Sequence, residues 1–104
     1  MAQTPEKAVK KKVRALLDEL QAYYVMPVTG GYGTQGAPDF LVCIKGRFVG
    51  IETKAGRGKT TALQELNLQR IRDAGGVALV IYETDIEKLK TILENENDQN
   101  WQND

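Results

Sequence analysis

Glu52 and Lys54 stand one residue apart at the end of the apolar run RFVGIETK, and Asp39 opens a second such run, DFLVCI. Lys45-Gly46 lies between the two runs and is a hairpin signature. If the chain turns there, Ile44 faces Arg47, and counting back along both strands sets Asp39 against Glu52. Cross-strand partners hold their Cβ atoms about 4.5–5.5 Å apart. Lys54, two residues beyond Glu52, shares that face. A loop spanning Ile44–Arg47 keeps this register, whereas a three-residue loop would break it. Two carboxylates and an ammonium therefore converge at one end of the hairpin. Like charges set opposite each other destabilise a sheet unless something compensates, and a divalent cation assisted by Lys54 would do so. The set suits metal-dependent phosphodiester hydrolysis. Asp39 and Glu52 would supply oxygen ligands to one or two ions that polarise the phosphate and acidify a bound water. Lys54 would position or deprotonate that water and offset the charge developing on the phosphate. Solvated charges at a sheet edge fit the same spacing.

The composition narrows the chemistry further. The chain has no histidine and one cysteine, Cys43. That excludes an internal disulfide framework, a cysteine-rich zinc site, and both serine–histidine and cysteine–histidine catalysis. A metal must then be held by oxygen, which points to Mg2+ or Mn2+. Lys+Arg and Asp+Glu balance at 14 each in 104 residues, but unevenly along the chain. Residues 1–59 carry ten basic against five acidic side chains, and residues 60–104 carry four against nine. A chain polarised in this way can present a basic face to nucleic acid. The start MAQTPEKAVKKK lacks the apolar core of a secretory signal, and no apolar run approaches the ~18 residues that span a bilayer. A lone cysteine suits a reducing compartment, so a cytoplasmic protein with no membrane partner is expected.

The elements that must position these groups are legible in outline. Thr4-Pro5 opens a helix whose apolar stripe is Val9, Val13, Leu16, Leu17 and Leu20. Glu6 falls on the buried side of that helix; locally it reads as a first-turn carboxylate facing the helix dipole. Tyr23–Val28 reads as a first strand, and the two hairpin strands are Asp39–Ile44 and Arg47–Lys54. Thr61-Ala62-Leu63-Gln64 is a capping box opening a helix to about Ala74, stopped by Gly75-Gly76. Val77–Tyr82 is a strand buried on both faces, and Thr84 or Asp85 caps a last helix through about Leu93. The order αβββαβα predicts a mixed sheet flanked by helices, with a right-handed crossover making the last two strands parallel. Residues 1–94 form one domain, and 95–104 are a polar, flexible tail in which Trp101 has no assigned role. Cys43 is expected in the core.

PDFLVCIKGRFVGIETK has the form PD, spacer, ExK, and so resembles the PD-(D/E)xK nuclease superfamily. TPEKAVKKKVRALLDEL, GGYGTQGAPDFLV, IETKAGRGKTTALQ and DAGGVALVIYETDIEKL together resemble a virus-type replication-repair nuclease (VRR-NUC) domain over roughly residues 4–90. The resemblance implies an α/β, restriction-endonuclease-like fold and a Mg2+- or Mn2+-dependent DNA endonuclease of phage-type replication, recombination or repair. It implies that Asp39 and Glu52 bind metal together with the carbonyl of Thr53, that Lys54 is the catalytic lysine, and that Glu6 and Gln64 belong to the site. Stand-alone members form homodimers acting on branched DNA such as Holliday junctions. With no room for a separate DNA-targeting domain, a dimer of that kind is expected here.

Other motifs compete for attention. Gly31–Gly36, GYGTQG, matches a dinucleotide fingerprint letter for letter, but Pro38 and an extended run follow where a helix is needed. GRGKTT lacks the leading glycine of a phosphate loop, since Thr53 holds that position, so no nucleotide cofactor is expected. Arg57 and Lys59 are candidates for phosphate contacts beside the site. Lys10, Lys11 and Arg14 (with Lys12) are either a DNA-backbone contact or simply the solvated face of the first helix. A non-catalytic DNA-binding module and a phage interaction protein with an acidic second half remain the competing readings.

Overall fold

Thr4 lies in extended conformation and its hydroxyl accepts the Lys7 N–H at 3.2 Å, so helix α1 (Pro5–Glu19) begins where its sequence signals place it. Pro5 occupies the first turn, where a missing N–H leaves no bond unmade. Val9, Val13, Leu16 and Leu17 are buried along one stripe. The computed structural model describes residues 4–28 and 35–95. Within them follow strands β1 (Tyr23–Val25), β2 (Phe40–Ile44) and β3 (Arg47–Thr53), helix α2 (Ala62–Asp73), strand β4 (Val77–Ile81), a short 3-10 turn at Glu83–Asp85, and helix α3 (Ile86–Glu94). Trp101 and residues 96–104 of the polar tail lie outside the described residues, as do positions 29–34 of the glycine-rich stretch.

The four strands form one sheet in the order β1-β2-β3-β4. The first three are antiparallel, and β3 and β4, joined through α2, are parallel. Ile44 pairs with Arg47 and Phe40 with Ile51, the register expected for a turn at Lys45-Gly46. Both turn residues have positive φ, 51° and 78°, as the tightest hairpin loop requires. β1 stops at Val25, three residues sooner than expected. Pro27 has no N–H to offer a ladder, which ends the pairing.

Alternation along the strands sorts the side chains between two faces. Phe40, Val42, Ile44, Val49, Ile51, Val77, Leu79 and Ile81 point to one side and are buried with the stripes of α1 and α3. The opposite side is covered by α2, which packs on β4 and reaches the end of β3. In the middle of β3, Gly50 lets the helix sit down, because a Cβ at that position would lie 2.6 Å from Ile71 Cδ1. Among the described residues, no helix packs extensively on β1 or β2 on this side. Cys43 is therefore exposed and not in the core: its neighbours Val42 and Ile44 take the buried side and the period-2 pleat turns Cys43 outward. It lies in one cross-strand row with Tyr23 and Phe48, which are 74% and 46% exposed.

One long-range contact locks α3 against the hairpin. The Arg47 guanidinium donates to the carbonyls of Leu93 at 2.8 Å and Asn95 at 2.7 Å. These acceptors sit at a helix end, where carbonyls lack intrahelical donors and the dipole favours a cation. Arg47→Ala is expected to lower stability by about 2 kcal/mol, read as a shift in the urea midpoint without a change in slope.

Candidate active site

The ladder between β2 and β3 ends at Phe40 and Ile51, so the next step places Asp39 beside Glu52 and Thr53. The Asp39 carboxylate is held there from β3: its Oδ2 accepts the Thr53 N–H at 2.9 Å and also the Thr53 hydroxyl. Its other oxygen, Oδ1, lies 3.5 Å from the ammonium of Lys10. Glu52 is 2% exposed. Its Oε2 accepts from Gln64 Nε2 at 3.1 Å and lies 3.5 Å from Lys54 Nζ. Its Oε1 is buried with no hydrogen-bond partner among the described residues.

Each of these groups is fixed by the fold around it. The Lys54 backbone N–H donates to Ile81 O at 3.0 Å, continuing the parallel pairing one step past β3. Its side chain is nearly buried and its ammonium lies between Glu52 and Glu6, 4.0 Å from Glu6 Oε1. Gln64 is the third residue of α2, where its Oε1 accepts the Thr61 N–H at 2.9 Å while Thr61 Oγ1 accepts the Gln64 N–H at 3.1 Å. The capping box and the bond to Glu52 thus use both ends of one amide.

The electrostatics follow from this packing. Burial pushes the Glu52 carboxyl up to about 7, Asp39 and Glu6 add to the rise, and Lys54 opposes it. A buried carboxylate oxygen without a donor, next to a second carboxylate, is a position that a hard cation would complete. The residues present fit a magnesium or manganese ion on that ground. Among the described residues no three acidic or thiol groups form a metal cage unaided, so backbone oxygen and water would have to complete an octahedral shell.

Of the residues singled out from the sequence, Glu6, Asp39, Glu52, Thr53, Lys54 and Gln64 come together, joined by the contacts above. Glu6 faces Lys54 although its side chain is about half exposed, and so it does not lie on the buried stripe. Arg57 and Lys59 are exposed on the loop leading to α2. That loop is pinned by Tyr82, whose hydroxyl donates to Gly58 O at 2.7 Å, a tether that no sequence pattern announced. Lys11 and Arg14 do not reach the carboxylates. They line, with Lys7, Lys10 and Met26, a groove of about 410 Å3 on the outer side of α1. Lys10, expected as a DNA-backbone contact or as part of the solvated face, also reaches Asp39 in the site. Its position four residues after Glu6 was the available signal, because residues at that spacing share a helix face.

No protein-family model and no curated protein matches the chain. Among solved structures, one described as a VRR_NUC domain superposes with a TM-score of 0.69 at 27% sequence identity, covering 84% of this chain and 95% of that one.

The raised Glu52 carboxyl carries a stability consequence. Its folded value, about 7, lies above the unfolded value near 4.5, so the folded chain holds this proton more tightly. That contribution is complete below pH 4.5 and is lost as pH climbs through 7. Metal-free protein is expected to lose roughly 2 to 3 kcal/mol between pH 5 and pH 8 from this group. Glu52→Gln should flatten the profile, measured by urea unfolding in chelator at both pH values.

Proposed function

Given a VRR-NUC-type nuclease domain with a restriction-endonuclease-like fold, we propose that this chain is a Mg2+- or Mn2+-dependent endonuclease that hydrolyses DNA phosphodiester bonds. The observation that carries the reading is the unpartnered, buried Oε1 of Glu52 beside Asp39. Asp39, Glu52 and the Thr53 carbonyl would hold the ion. When bound, it would polarise the phosphate and acidify the attacking water. Lys54 orients that water, and its ammonium offsets negative charge gathering on the phosphate. Glu6 and Glu52 keep the ammonium from swinging away. Gln64 holds the Glu52 rotamer, and Thr53 holds Asp39 through two donors, so both carboxylates are aimed before substrate arrives. Arg57 and Lys59, exposed on the adjacent loop, would contact flanking phosphates, and the groove bearing Lys7, Lys11 and Arg14 would add a positive track along α1.

A substrate of branched DNA, and a homodimer to cut it, are the finer parts of this proposal. One copy supplies one cleft, whereas resolving a branch by paired cuts needs two. The exposed row of Tyr23, Cys43 and Phe48 beside the edge strand supports a second copy, since rows of exposed large apolar groups mark association surfaces.

Incubation with four-way junction, flap and linear duplex should give cleavage with Mg2+ or Mn2+ and none with chelator. Absence of metal-dependent cleavage on every substrate would refute the nuclease reading. Lys54→Ala should slow cutting by about 10²- to 10⁴-fold while leaving DNA binding in place. Light scattering during size exclusion should return twice the monomer mass of 11.6 kDa.

A further inference from the structure

Lys10 and Lys54 both pair with a site carboxylate, but differently. Lys54 is nearly buried, its backbone tied into the sheet, and its ammonium is shared between Glu52 and Glu6. Lys10 stands on α1, its side chain 32% exposed, and among the described residues it pairs with one carboxylate, Asp39 Oδ1 at 3.5 Å. The two oxygens of Asp39 are unequal. Oδ2 is taken by two donors from Thr53, while Oδ1 has, among the described residues, the Lys10 ammonium alone. Glu52 shows the same division, with Oε2 held by Gln64 and Lys54 and Oε1 unpartnered. The oxygens left for a cation are therefore Asp39 Oδ1 and Glu52 Oε1, and Lys10 already sits on the first. A lysine at the rim is also one of five residues lining the basic groove on α1, so its four-carbon stem gives it two destinations.

We propose that Lys10 is a metal-responsive positioning residue. In the metal-free protein it neutralises Asp39 Oδ1; an arriving divalent ion displaces it, and the freed ammonium takes up a DNA phosphate in the groove it shares with Lys11 and Arg14. This rests on the nuclease reading and adds to it an ordered coupling. Metal binding switches a DNA contact on, and by linkage DNA favours metal by the same factor. Unlike Lys11, which forms no carboxylate pair among the described residues, Lys10 contributes to DNA affinity only when metal is present.

The test separates displacement from simple charge removal. Manganese binding to the protein alone is measured by calorimetry for the parent, Lys10→Met, Lys10→Gln and Lys11→Met. DNA affinity is measured by fluorescence anisotropy on a labelled four-way junction, in chelator and with Ca2+ in place of Mg2+. Removing the competing ammonium should tighten manganese binding about fivefold in both Lys10 variants. The Lys11 variant, whose charge is remote and screened, should change it by no more than about twofold. In chelator the Lys10 variants should bind DNA as the parent does, and with Ca2+ they should bind several-fold more weakly. Lys11→Met should weaken DNA binding equally in both conditions. Equal manganese affinity in the parent and all variants would overturn the proposal, and so would a Lys10 defect in DNA binding of the same size with and without metal. A parent protein that binds no manganese would instead sink the nuclease reading on which the proposal stands.

Discussion

Burial of one carboxylate at the end of a mixed sheet is the constraint that the rest of this structure answers. Glu52 is 2% exposed, next to the buried Ile51 and Thr53 of the same strand, and water cannot solvate its charge there. Uncompensated burial of a charged group is among the most costly arrangements in a protein. The molecule responds with a lysine one step past that strand, an amide from the following helix, and a proton affinity shifted into the neutral range. Every one of these is a partial answer. One oxygen stays without a donor, and the second carboxylate beside it makes the deficit larger.

Such a deficit is local strain of an electrostatic kind, and the fold concentrates it where several elements end together. Strand β3 ends there, the β2–β3 ladder stops there, α2 begins there, and the first turns of α1 pass above. A site built from element ends draws one or two side chains from each, while the sheet and the stripes of α1 and α3 supply rigidity from beneath. The core therefore need not be tuned for chemistry. Val49, Ile51, Leu79 and Ile81 fill the inward side with ordinary packing, while Glu52 stands on the other side of β3 and Asp39 and Lys54 flank the strand ends.

Much of this was legible because short-range rules govern it. The hairpin register followed from Lys45-Gly46, both caps followed from Thr4-Pro5 and Thr61–Gln64, and the parallel crossover followed from the element order. What escaped the sequence depended on which face a third layer covers. Cys43 lies in an apolar run, and nothing local says that α2 leaves the β1–β2 side open. Lys10 belongs to a run of like charges on a helix; its spacing from Glu6 sets its face, but the contact with Asp39 depends on the approach of α1 to the end of β2. The Arg47 clasp on the end of α3 joins residues more than forty positions apart. No periodicity encodes a contact of that separation, because it is set by how the finished layers stack. Trp101 lies beyond the described residues.

Gln64 closes the capping box of α2 with one end of its amide and reaches Glu52 with the other. The helix start and the carboxylate rotamer are therefore a single cooperative unit. When the first turn of α2 frays, the amide leaves its capping position and Glu52 loses its aim at the same moment. Half-assembled forms of the chain, with the sheet closed and α2 not yet wound, would have the carboxylates without their geometry. The geometry at Glu52 is therefore complete only when the first turn of α2 is wound as well as the sheet closed.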